Sequence, residues 1–238
     1  MMRLDKFIAN NGYGSRKEVN KLIRKNSVSV NGEIVDKPTM HIDIKKDKVC
    51  VNGEEVLYTE FVYLMMNKPS GFVSATFDKF DRTVLEIVRE EDKILDPYPI
   101  GRLDKDTVGL LIISNDGNMC HRVLSPKRHV EKKYFVIVNG CLNDSFIEIF
   151  NDGVVLEDGI KCKSAKLKIL KIHNDKSECE LILTEGKFHQ IKRMFEVLGF
   201  LVTYLKRIEF GGLKLDESLK EGEYRHLTEE EINLLKMV

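Results

Sequence analysis

The sequence of 238 residues has no net charge, no long apolar run and no paired cysteine motif, and each absence excludes a class of protein. No stretch approaches the roughly 18 apolar residues of a membrane-spanning helix, and residues 1–10 lack the apolar segment of a signal peptide. The five cysteines form no C-x-x-C pair and no Cys/His spacing typical of a zinc site. We therefore expect a cytoplasmic protein with five reduced thiols and neither disulfides nor a structural metal.

The net charge of zero argues against a nucleic-acid partner only if the charge is evenly distributed, and it is not. Residues 1–30 have a net charge of +5, and residues 118–135 and 186–207 each have +4, so the remaining residues carry −13. Because local charge decides where a polyanion binds, these three basic segments keep nucleic acid among the expected partners.

The first 58 residues predict a small α/β domain. A short helix is predicted at residues 4–9, and Ser15 with Glu18 forms a capping box that starts a second helix. The second helix has one apolar stripe, and four cations without any acid share the opposite side. This side is either a solvated surface or a contact for phosphates, and we favour the phosphate contact. The four cations are Lys17, Lys21, Arg24 and Lys25.

Two similar segments then predict β-hairpins, because alternating apolar residues end in Asn-Gly at residues 31–32 and 52–53. From residue 61 the elements become longer, so we predict domains at residues 1–58 and 61–238, although no Pro/Gly/Ser-rich linker separates them. Strands are predicted at 61–66, 108–113, 133–138, 165–172, 179–184 and 201–208, and helices at 83–90, 117–124, 143–151, 188–198 and 228–237. Because several strands follow one another directly, this pattern favours an α+β fold with a mainly antiparallel sheet.

The most informative segment is Gly101–Leu111, in which polar residues lead directly into an apolar strand. It places Asp104 in a loop at the edge of a strand, where a rigid sheet can hold the side chain towards a cleft. A carboxylate in this position can serve as a nucleophile, a general base or a metal ligand. The alternative is that Asp104 and Asp106 are only solvated residues of a turn. Two acids with no third acid or histidine nearby make a poor metal site.

Two further segments carry cations beside chemically useful side chains. A helix is predicted after a turn at residues 185–186, and Lys192 and Arg193 lie outside its apolar stripe. These two cations either neutralise a carboxylate, bind phosphates or are only solvated. His189 and Gln190 are expected to cap or line the turn. Tyr134 opens a strand after two lysines, and it is either a core residue or a platform on which a base stacks.

Three motifs, in this order along the chain, resemble the RsuA-type bacterial rRNA pseudouridine synthases. They are Asn67-Lys68-Pro69-x-Gly71, G-R-L-D-x-x-T-x-G-L-L at 101–111 and E-G-K-x-H-Q-I-K-R-M-F at 185–195. The N-terminal segment resembles the small RNA-binding domain shared with ribosomal protein S-four. Within the family, the third motif is similar to the small-subunit (16S rRNA) branch, whereas large-subunit members tend to show Asn-Arg-Gln/Glu-x-Arg-Arg.

The resemblance implies a role for each matching residue. Asp104 matches the catalytic aspartate, which attacks the uridine so that the base detaches, rotates and rejoins through carbon 5. Tyr134 matches the tyrosine that packs on the flipped base and takes the proton from carbon 5, and Lys192 matches the basic residue that pairs with the aspartate. The implied substrate and RNA contacts are Arg102, Leu183, Arg193, His189, Gln190, Lys133, Lys68, Arg16, Lys17, Lys21, Arg24 and Lys25.

The implied protein is a monomeric α+β enzyme that isomerises one uridine of 16S rRNA within a pre-ribosomal small-subunit particle. In it, a small N-terminal α/β RNA-binding domain precedes a larger pseudouridine synthase domain with a mainly antiparallel mixed sheet. The reaction exchanges a C–N bond for a C–C bond without a change of oxidation state, so we expect no cofactor and no metal. Extruding the base costs a few kcal/mol, which phosphate and stacking contacts must offset.

Three alternatives stay open at this point. The same chemistry on large-subunit rRNA is opposed only by His189 and the Lys192-Arg193 pair. A non-catalytic RNA-binding ribosome assembly factor would have no use for Asp104, Tyr134 and Lys192. A metallohydrolase built on the two aspartates at 104 and 106 would lose its activity to a chelator.

Overall fold

A computed structural model describes all 238 residues, and contacts divide them into two compact units. The first unit comprises Met1–Val62 with Arg89–Pro97, and the second comprises Tyr63–Val88 with Tyr98–Val238. None of the helices combines the length and the apolar character that a membrane span requires.

The first unit packs its helices on small sheets. Its elements are β1 (Met2–Arg3), α1 (Leu4–Asn10), α2 (Arg16–Arg24), β2 (Val28–Val30), β3 (Glu33–Ile34), β4 (His41–Ile42), β5 (Val49–Val51), β6 (Glu54–Glu55) and α3 (Glu90–Lys93). Strand β1 pairs with β4, and a second sheet has the order β3-β2-β5-β6. Leu4, Phe7, Val19 and Ile23 are among the buried residues that join both helices to the sheets.

The capping box and the Asn-Gly turns predicted for this unit are present in the structure. The Ser15 hydroxyl accepts a hydrogen bond from the Glu18 amide, and the Glu18 carboxylate accepts one from the Ser15 amide at 2.8 Å, which completes the capping box of α2. Asn31 and Asn52 have φ angles of 53° and 51°, and a glycine with a positive φ follows each of them. These are the conformations of type I′ turns, and each turn joins two antiparallel strands.

The second unit is built on one nine-stranded sheet. Its strands are β7 (Tyr63–Lys68), β8 (Tyr98–Ile100), β9 (Val108–Ser114), β10 (Lys132–Asn139), β11 (Lys166–His173), β12 (Lys176–Leu183), β13 (Val202–Phe210), β14 (Leu213–Lys214) and β15 (Tyr224–His226). Its α-helices are α4 (Gly117–Leu124), α5 (Ser145–Asp152), α6 (Gln190–Glu196) and α7 (Glu229–Met237), and Val84–Glu86 and Pro126–Arg128 form 3₁₀ turns.

The order of the main sheet is β11-β12-β10-β13-β9-β7-β15, and β8 and β14 pair with β9 and β13 respectively. All pairs are antiparallel except β9 with β13, which is parallel. The predicted α+β class with a mainly antiparallel mixed sheet is therefore confirmed. All residues of β9 are buried, as its unbroken apolar run predicts.

The helix predicted at residues 83–90 is the main error. Only Val84–Glu86 form a 3₁₀ turn, after which a separate helix begins at Glu90. The amide of Val84 donates instead to the carbonyl of Val73, and Thr83 pairs with Val73 as an isolated bridge. The amides of Glu86 and Ile87 donate three residues back, to the carbonyls of Thr83 and Val84, so the segment forms a single 3₁₀ turn.

Candidate active site

A row of residues crosses the sheet at the centre of the second unit. Lys68 of β7 is opposite Gly109 of β9, Gly109 is opposite Arg207 of β13, and Arg207 is opposite Tyr134 of β10. Gly109 is required there because a Cβ atom would lie 2.3 Å from the carbonyl oxygen of Arg207. The glycine thus permits the close parallel pairing that brings Tyr134 and the loop before β9 into one part of the sheet.

Asp104 lies in the loop between β8 and β9, and its side chain is 29% exposed. The ammonium of Lys68 lies beneath this loop and donates to the carbonyl oxygens of Thr107 at 2.8 Å, Asp104 at 3.1 Å and Lys105 at 3.2 Å. It also donates to the carbonyl of Pro69 at 3.0 Å. One buried cation therefore fastens the backbone that follows the Asp104 side chain.

Ser74 fixes the same loop from another direction. Its hydroxyl accepts from the amide of Leu103 at 3.0 Å and donates to the carbonyl of Leu103 at 3.1 Å. The amide of Gly71 donates to the carbonyl of Lys105 at 2.8 Å. Because the backbone around it is held in this way, the Asp104 side chain has little conformational freedom, as a reactive group requires.

Cationic and aromatic side chains from the region of α6 face the aspartate. The ammonium of Lys192 lies 3.5 Å from Asp104 Oδ2 and 2.5 Å from Asp106 Oδ1. His189 Nε2 lies 3.8 Å from Asp104 Oδ1. Burial would raise the pKa of Asp106, but the hydrogen bond and charge of Lys192 outweigh it and hold that pKa below its ordinary value. Lys192 therefore bridges two carboxylates.

The turn before α6 is organised around the carboxylate of Glu185. This carboxylate accepts hydrogen bonds from the side chains of Gln190 at 2.7 Å and Lys187 at 2.5 Å, and from the Lys163 amide at 3.0 Å. The Gln190 amide oxygen accepts from the backbone of Lys187 at 2.8 Å. His189, with a φ of 47°, is in the left-handed region immediately before the helix. These contacts set the point at which α6 begins, and thereby the position of its lysine.

Tyr134 and Leu183 are buried in the adjoining strands β10 and β12. Arg207, opposite Tyr134, is also buried, and its Nε donates to the carbonyl of Leu110 at 2.8 Å while its Nη2 has no hydrogen-bond partner. Burial lowers the pKa of Arg207, and the neighbouring Tyr134 hydroxyl opposes that shift. The guanidinium lies 4.9 Å from the ring centre of Phe210. The buried guanidinium of Arg207 is therefore a neighbour of the Tyr134 side chain.

The other predicted contact residues have different surroundings. Arg102 is exposed, Arg193 forms an ion pair with Asp158, and the Lys133 ammonium lies 3.8 Å from Glu209. In the first unit, Arg16 lies 3.6 Å from Asp5. The four cations Lys17, Lys21, Arg24 and Lys25 are exposed, on the side of α2 opposite to its buried Val19 and Ile23.

Lys68 requires a correction. We predicted that it contacts RNA or substrate, but its side chain is fully buried and its ammonium is occupied by four backbone carbonyls. Its role in the structure is to support the Asp104 loop. Burial lowers the pKa of Lys68 to about 8, against the opposing charges of Asp106 and Asp104.

Sequence reasoning also missed two residues of the site. Asp106 was considered as a metal ligand or a turn residue and not as the nearest partner of Lys192. Arg207 was counted only as part of a basic segment, although a cation within the apolar pattern of Val202–Phe210 is a signal for a buried charge. Nowhere in the chain do three or more His, Cys, Asp or Glu side chains converge as metal ligands would.

Comparison with known proteins places this arrangement in a family. The model of the RNA pseudouridylate synthase family matches residues 62–197, and that of the S4 domain matches residues 2–43. The RNA pseudouridine synthase YtzG of Bacillus subtilis is 46% identical over 98% of both chains. Ribosomal small subunit pseudouridine synthase A of Escherichia coli is 39% identical over 97% of this chain and 98% of its own length.

A solved structure agrees with these sequence matches. The crystal structure of a pseudouridylate synthase, 38% identical in sequence, superposes with a TM-score of 0.67 over 99% of this chain and 100% of the other. The chain therefore belongs to the RNA pseudouridylate synthase family and carries an S4 domain at its N-terminal end.

Proposed function

We propose that this enzyme converts one uridine of small-subunit (16S) rRNA to pseudouridine, with Asp104 as the nucleophile. The observation that carries the proposal is the placement of the Asp104 carboxylate 3.5 Å from the Lys192 ammonium, on a loop held by Lys68 and Ser74. The cation keeps a partly buried carboxylate ionised, and the fixed backbone keeps it aimed at one position.

The reaction balances without any further reagent. Asp104 attacks C1′ of the ribose, so that a bond to its carboxylate forms as the bond between C1′ and N1 of uracil breaks. The detached base rotates within the site, and the bond to Asp104 breaks when the base rejoins. A bond then forms between C1′ and C5, the proton on C5 leaves, and N1 gains a proton. The product has the same atoms and the same oxidation state as the substrate.

Tyr134 is proposed to receive the rotating base and to take the proton from C5. Its position in the row that also contains Gly109 and Arg207 supports this role, because the row connects Tyr134 to β9, which directly follows the Asp104 loop. Leu183 of the adjoining strand β12 supplies apolar lining for the uracil. The buried Arg207 of β13 is opposite Tyr134 in the same row.

The choice of 16S rRNA rests on two observations. Relatives named ribosomal small subunit pseudouridine synthase A are similar over nearly the full length, for example that of Haemophilus influenzae at 38% identity. The motif His189-Gln190-x-Lys192-Arg193 resembles the same branch. We propose that the substrate is a pre-ribosomal small-subunit particle in the cytoplasm and that the enzyme acts as a monomer.

We further propose two functional domains, residues 1–58 and 61–238. The first anchors the RNA through the exposed cations of α2, and Arg16 helps to orient that surface. The second flips and isomerises the base, and Arg102, Lys133, His189, Gln190 and Arg193 contact the RNA or shape the surface around it. Phosphate contacts of this kind give affinity that depends strongly on salt.

The test combines mapping and one substitution. Pseudouridines are mapped across 16S and 23S rRNA from cells that lack the gene and are complemented with the wild-type protein, Asp104→Asn or Asp152→Asn. We expect one 16S position to be lost without the gene and restored by the wild type and by Asp152→Asn, whose side chain is at the exposed end of α5. Asp104→Asn should restore no pseudouridine at that position, although the variant should still bind the RNA with nearly unchanged affinity.

Other results lead to different conclusions. Loss of a 23S position would replace the small-subunit assignment by a large-subunit one. Full restoration by Asp104→Asn would eliminate the nucleophile, and an unchanged pseudouridine map would leave the enzyme without an rRNA substrate.

A further inference from the structure

The segment from Ser74 to Arg82, called the aromatic loop below, exposes two phenylalanines of the second unit. Phe77 and Phe80 are 81% and 87% exposed, although burial of an aromatic ring is a large source of folding stability. Lys79 lies between them in the sequence, and its ammonium is 5.3 Å from the ring centre of Phe80. Two exposed rings with an interleaved cation are the composition of a surface that binds unpaired nucleotides.

The aromatic loop is an ordered structure. The amide of Val73 donates to the carbonyl of Arg82 at 2.9 Å, which closes the base of the loop. At its tip, the carboxylate of Asp78 accepts from the amides of Phe80 and Asp81 at 2.9 Å each. The backbone that carries the rings is therefore fixed before any partner binds, which reduces the entropy lost on binding.

The aromatic loop is attached to the chain on both sides of Asp104. Ser74, at one end, exchanges two hydrogen bonds with the backbone of Leu103, and Asp81, near the other end, forms an ion pair of 2.5 Å with Lys105. The loop that carries the rings is thus joined to the residues on either side of the proposed nucleophile. RNA whose uridine reaches Asp104 would pass near this loop.

The chemistry of base flipping supplies an occupant for these rings. When one base leaves its stack, its neighbours lose a stacking partner, and an aromatic ring can replace it because every base has a π face. Lys79 is on the same loop and can contact the phosphates, whereas Arg82 pairs with Glu86, and Asp78 and Asp81 are engaged within the protein.

We infer that the aromatic loop is a stacking site for the unpaired nucleotides that adjoin the target uridine, with Phe77 and Phe80 as the platforms. The inference rests on the proposed function, since it takes the uridine to be at Asp104. In this inference the two phenylalanines stack on the bases next to the flipped uridine and take no part in the chemical step.

The absence of tryptophan from the sequence allows a direct test. Phe77→Trp and Phe80→Trp each introduce the only tryptophan of the chain, and a nucleobase that stacks on the indole quenches its emission. Both are made in the Asp104→Asn background and titrated with protein-free 16S rRNA. Leu201→Trp is the matched control, because Leu201 is 66% exposed and adjoins Asn139, at the opposite end of β10 from Tyr134.

We expect quenching at positions 77 and 80 and none at 201. Phe77→Ala with Phe80→Ala, in the same background, should weaken rRNA binding on the order of tenfold for each ring. The dependence of affinity on salt should stay the same, because no cation is removed. Phe77→Tyr with Phe80→Tyr should restore the affinity.

An unquenched tryptophan at both positions, or an unchanged affinity of the double alanine variant, would overturn the inference. Quenching by small-subunit particles that persists after nuclease digestion of their rRNA would overturn it in favour of a protein partner. These results are separate from a failure of the proposed function, which would appear as pseudouridine formation by Asp104→Asn or as an unchanged rRNA map.

Discussion

The ammonium of Lys192 is closer to Asp106 than to Asp104, at 2.5 Å against 3.5 Å. The lysine is thus shared, and the more exposed of the two aspartates holds it more tightly. Asp106 binds the ammonium from the solvent-exposed side, and the less exposed Asp104 lies next to the same ammonium. This division of one cation between two carboxylates leads to the first prediction.

Lys192→Met should lower pseudouridine formation on the order of 100-fold or more, because Asp104 loses the charge that balances it. Lys192→Arg should retain most of the activity. Asp106→Asn is the matched change on the other partner, and since exposed ion pairs contribute little, we expect an effect of about threefold or less. Single-turnover rates of the three variants measure the difference, and an Asp106→Asn rate as low as that of Lys192→Met would contradict it.

Lys68→Met should destabilise the second unit and the Asp104 loop together. The methionine fills a similar volume but leaves four carbonyl groups without their donor, and we expect a loss of about 3 kcal/mol or more in the free energy of unfolding. Denaturant unfolding measures the loss. Lys105→Met, at an exposed position of the same loop, is the control, and equal stability of the two variants would be evidence against the support role.

Tyr134→Phe should leave the fold and the RNA affinity nearly unchanged, since the ring and its packing remain. We expect the rate of pseudouridine formation to fall on the order of 100-fold if the hydroxyl takes the proton from C5. Tyr204→Phe provides a comparison, because Tyr204 is half-buried on the neighbouring central strand β13 and its hydroxyl lies near Glu221. A wild-type rate for Tyr134→Phe would remove the hydroxyl from the mechanism.

The basic surface of α2 should set much of the salt dependence of RNA binding. Changing Lys21, Arg24 and Lys25 to alanine should weaken binding and reduce the slope of log affinity against log salt by about two to three. The triple change Lys37→Ala, Lys45→Ala and Lys46→Ala removes the same charge from exposed positions of the same unit. If both triple variants had the same slope, net charge alone would explain the affinity.

Arg225 should make the stability of the second unit sensitive to acid. It forms a 2.6 Å ion pair with Asp216 and a two-pronged one with Glu231 at 2.8 Å. The hydrogen bond from Ser218, followed by that from Arg225, lowers the pKa of Asp216 to about 2, and Arg225 also lowers the pKa of Glu231. Carboxylates with lowered pKa values stabilise the folded state above their unfolded pKa near 4, and this stabilisation is lost as the pH falls towards 2.

Arg225→Met should therefore be less stable than the wild type at pH 7, and the difference should narrow between pH 4 and pH 2. Thermal unfolding at a series of pH values measures it. Lys166→Met, which removes an exposed pair with Glu131, should show little difference at any pH. A gap between Arg225→Met and the wild type that stayed constant down to pH 2 would contradict the assignment.

The elements that could be predicted from the sequence are those with local signals. The capping box of α2, the Asn-Gly turns and the apolar run of β9 depend on neighbouring residues, and the structure contains each of them. The short strands β8, β14 and β15 were missed, because two or three residues carry no periodicity. The proximity of Asp104 to Lys192 was implied by family resemblance and could not be deduced from spacing.

Other parts of the site depend on contacts between distant residues. Lys68 stands in a turn signature and reads as an exposed cation, but carbonyl groups almost 40 residues later enclose it. Arg207 lies opposite Gly109 only because β9 and β13 pair in parallel. The burial of Lys68 leaves no mark in the local pattern, whereas the only local sign for Arg207 is a cation within the apolar pattern of its strand.

The parallel pairing of β9 with β13 also determines when the enzyme can become active during its own synthesis. Eighty-seven residues separate the end of β9 from the start of β13, and at about 5–20 residues per second the ribosome needs roughly 4–18 s to make them. During that interval the part of β9 that pairs with β13, at Val108 and Gly109, lacks its partner and is a site for wrong pairing. Asp104 precedes this interval, whereas Lys192 is made near its end, so the proposed catalytic pair is completed late in translation.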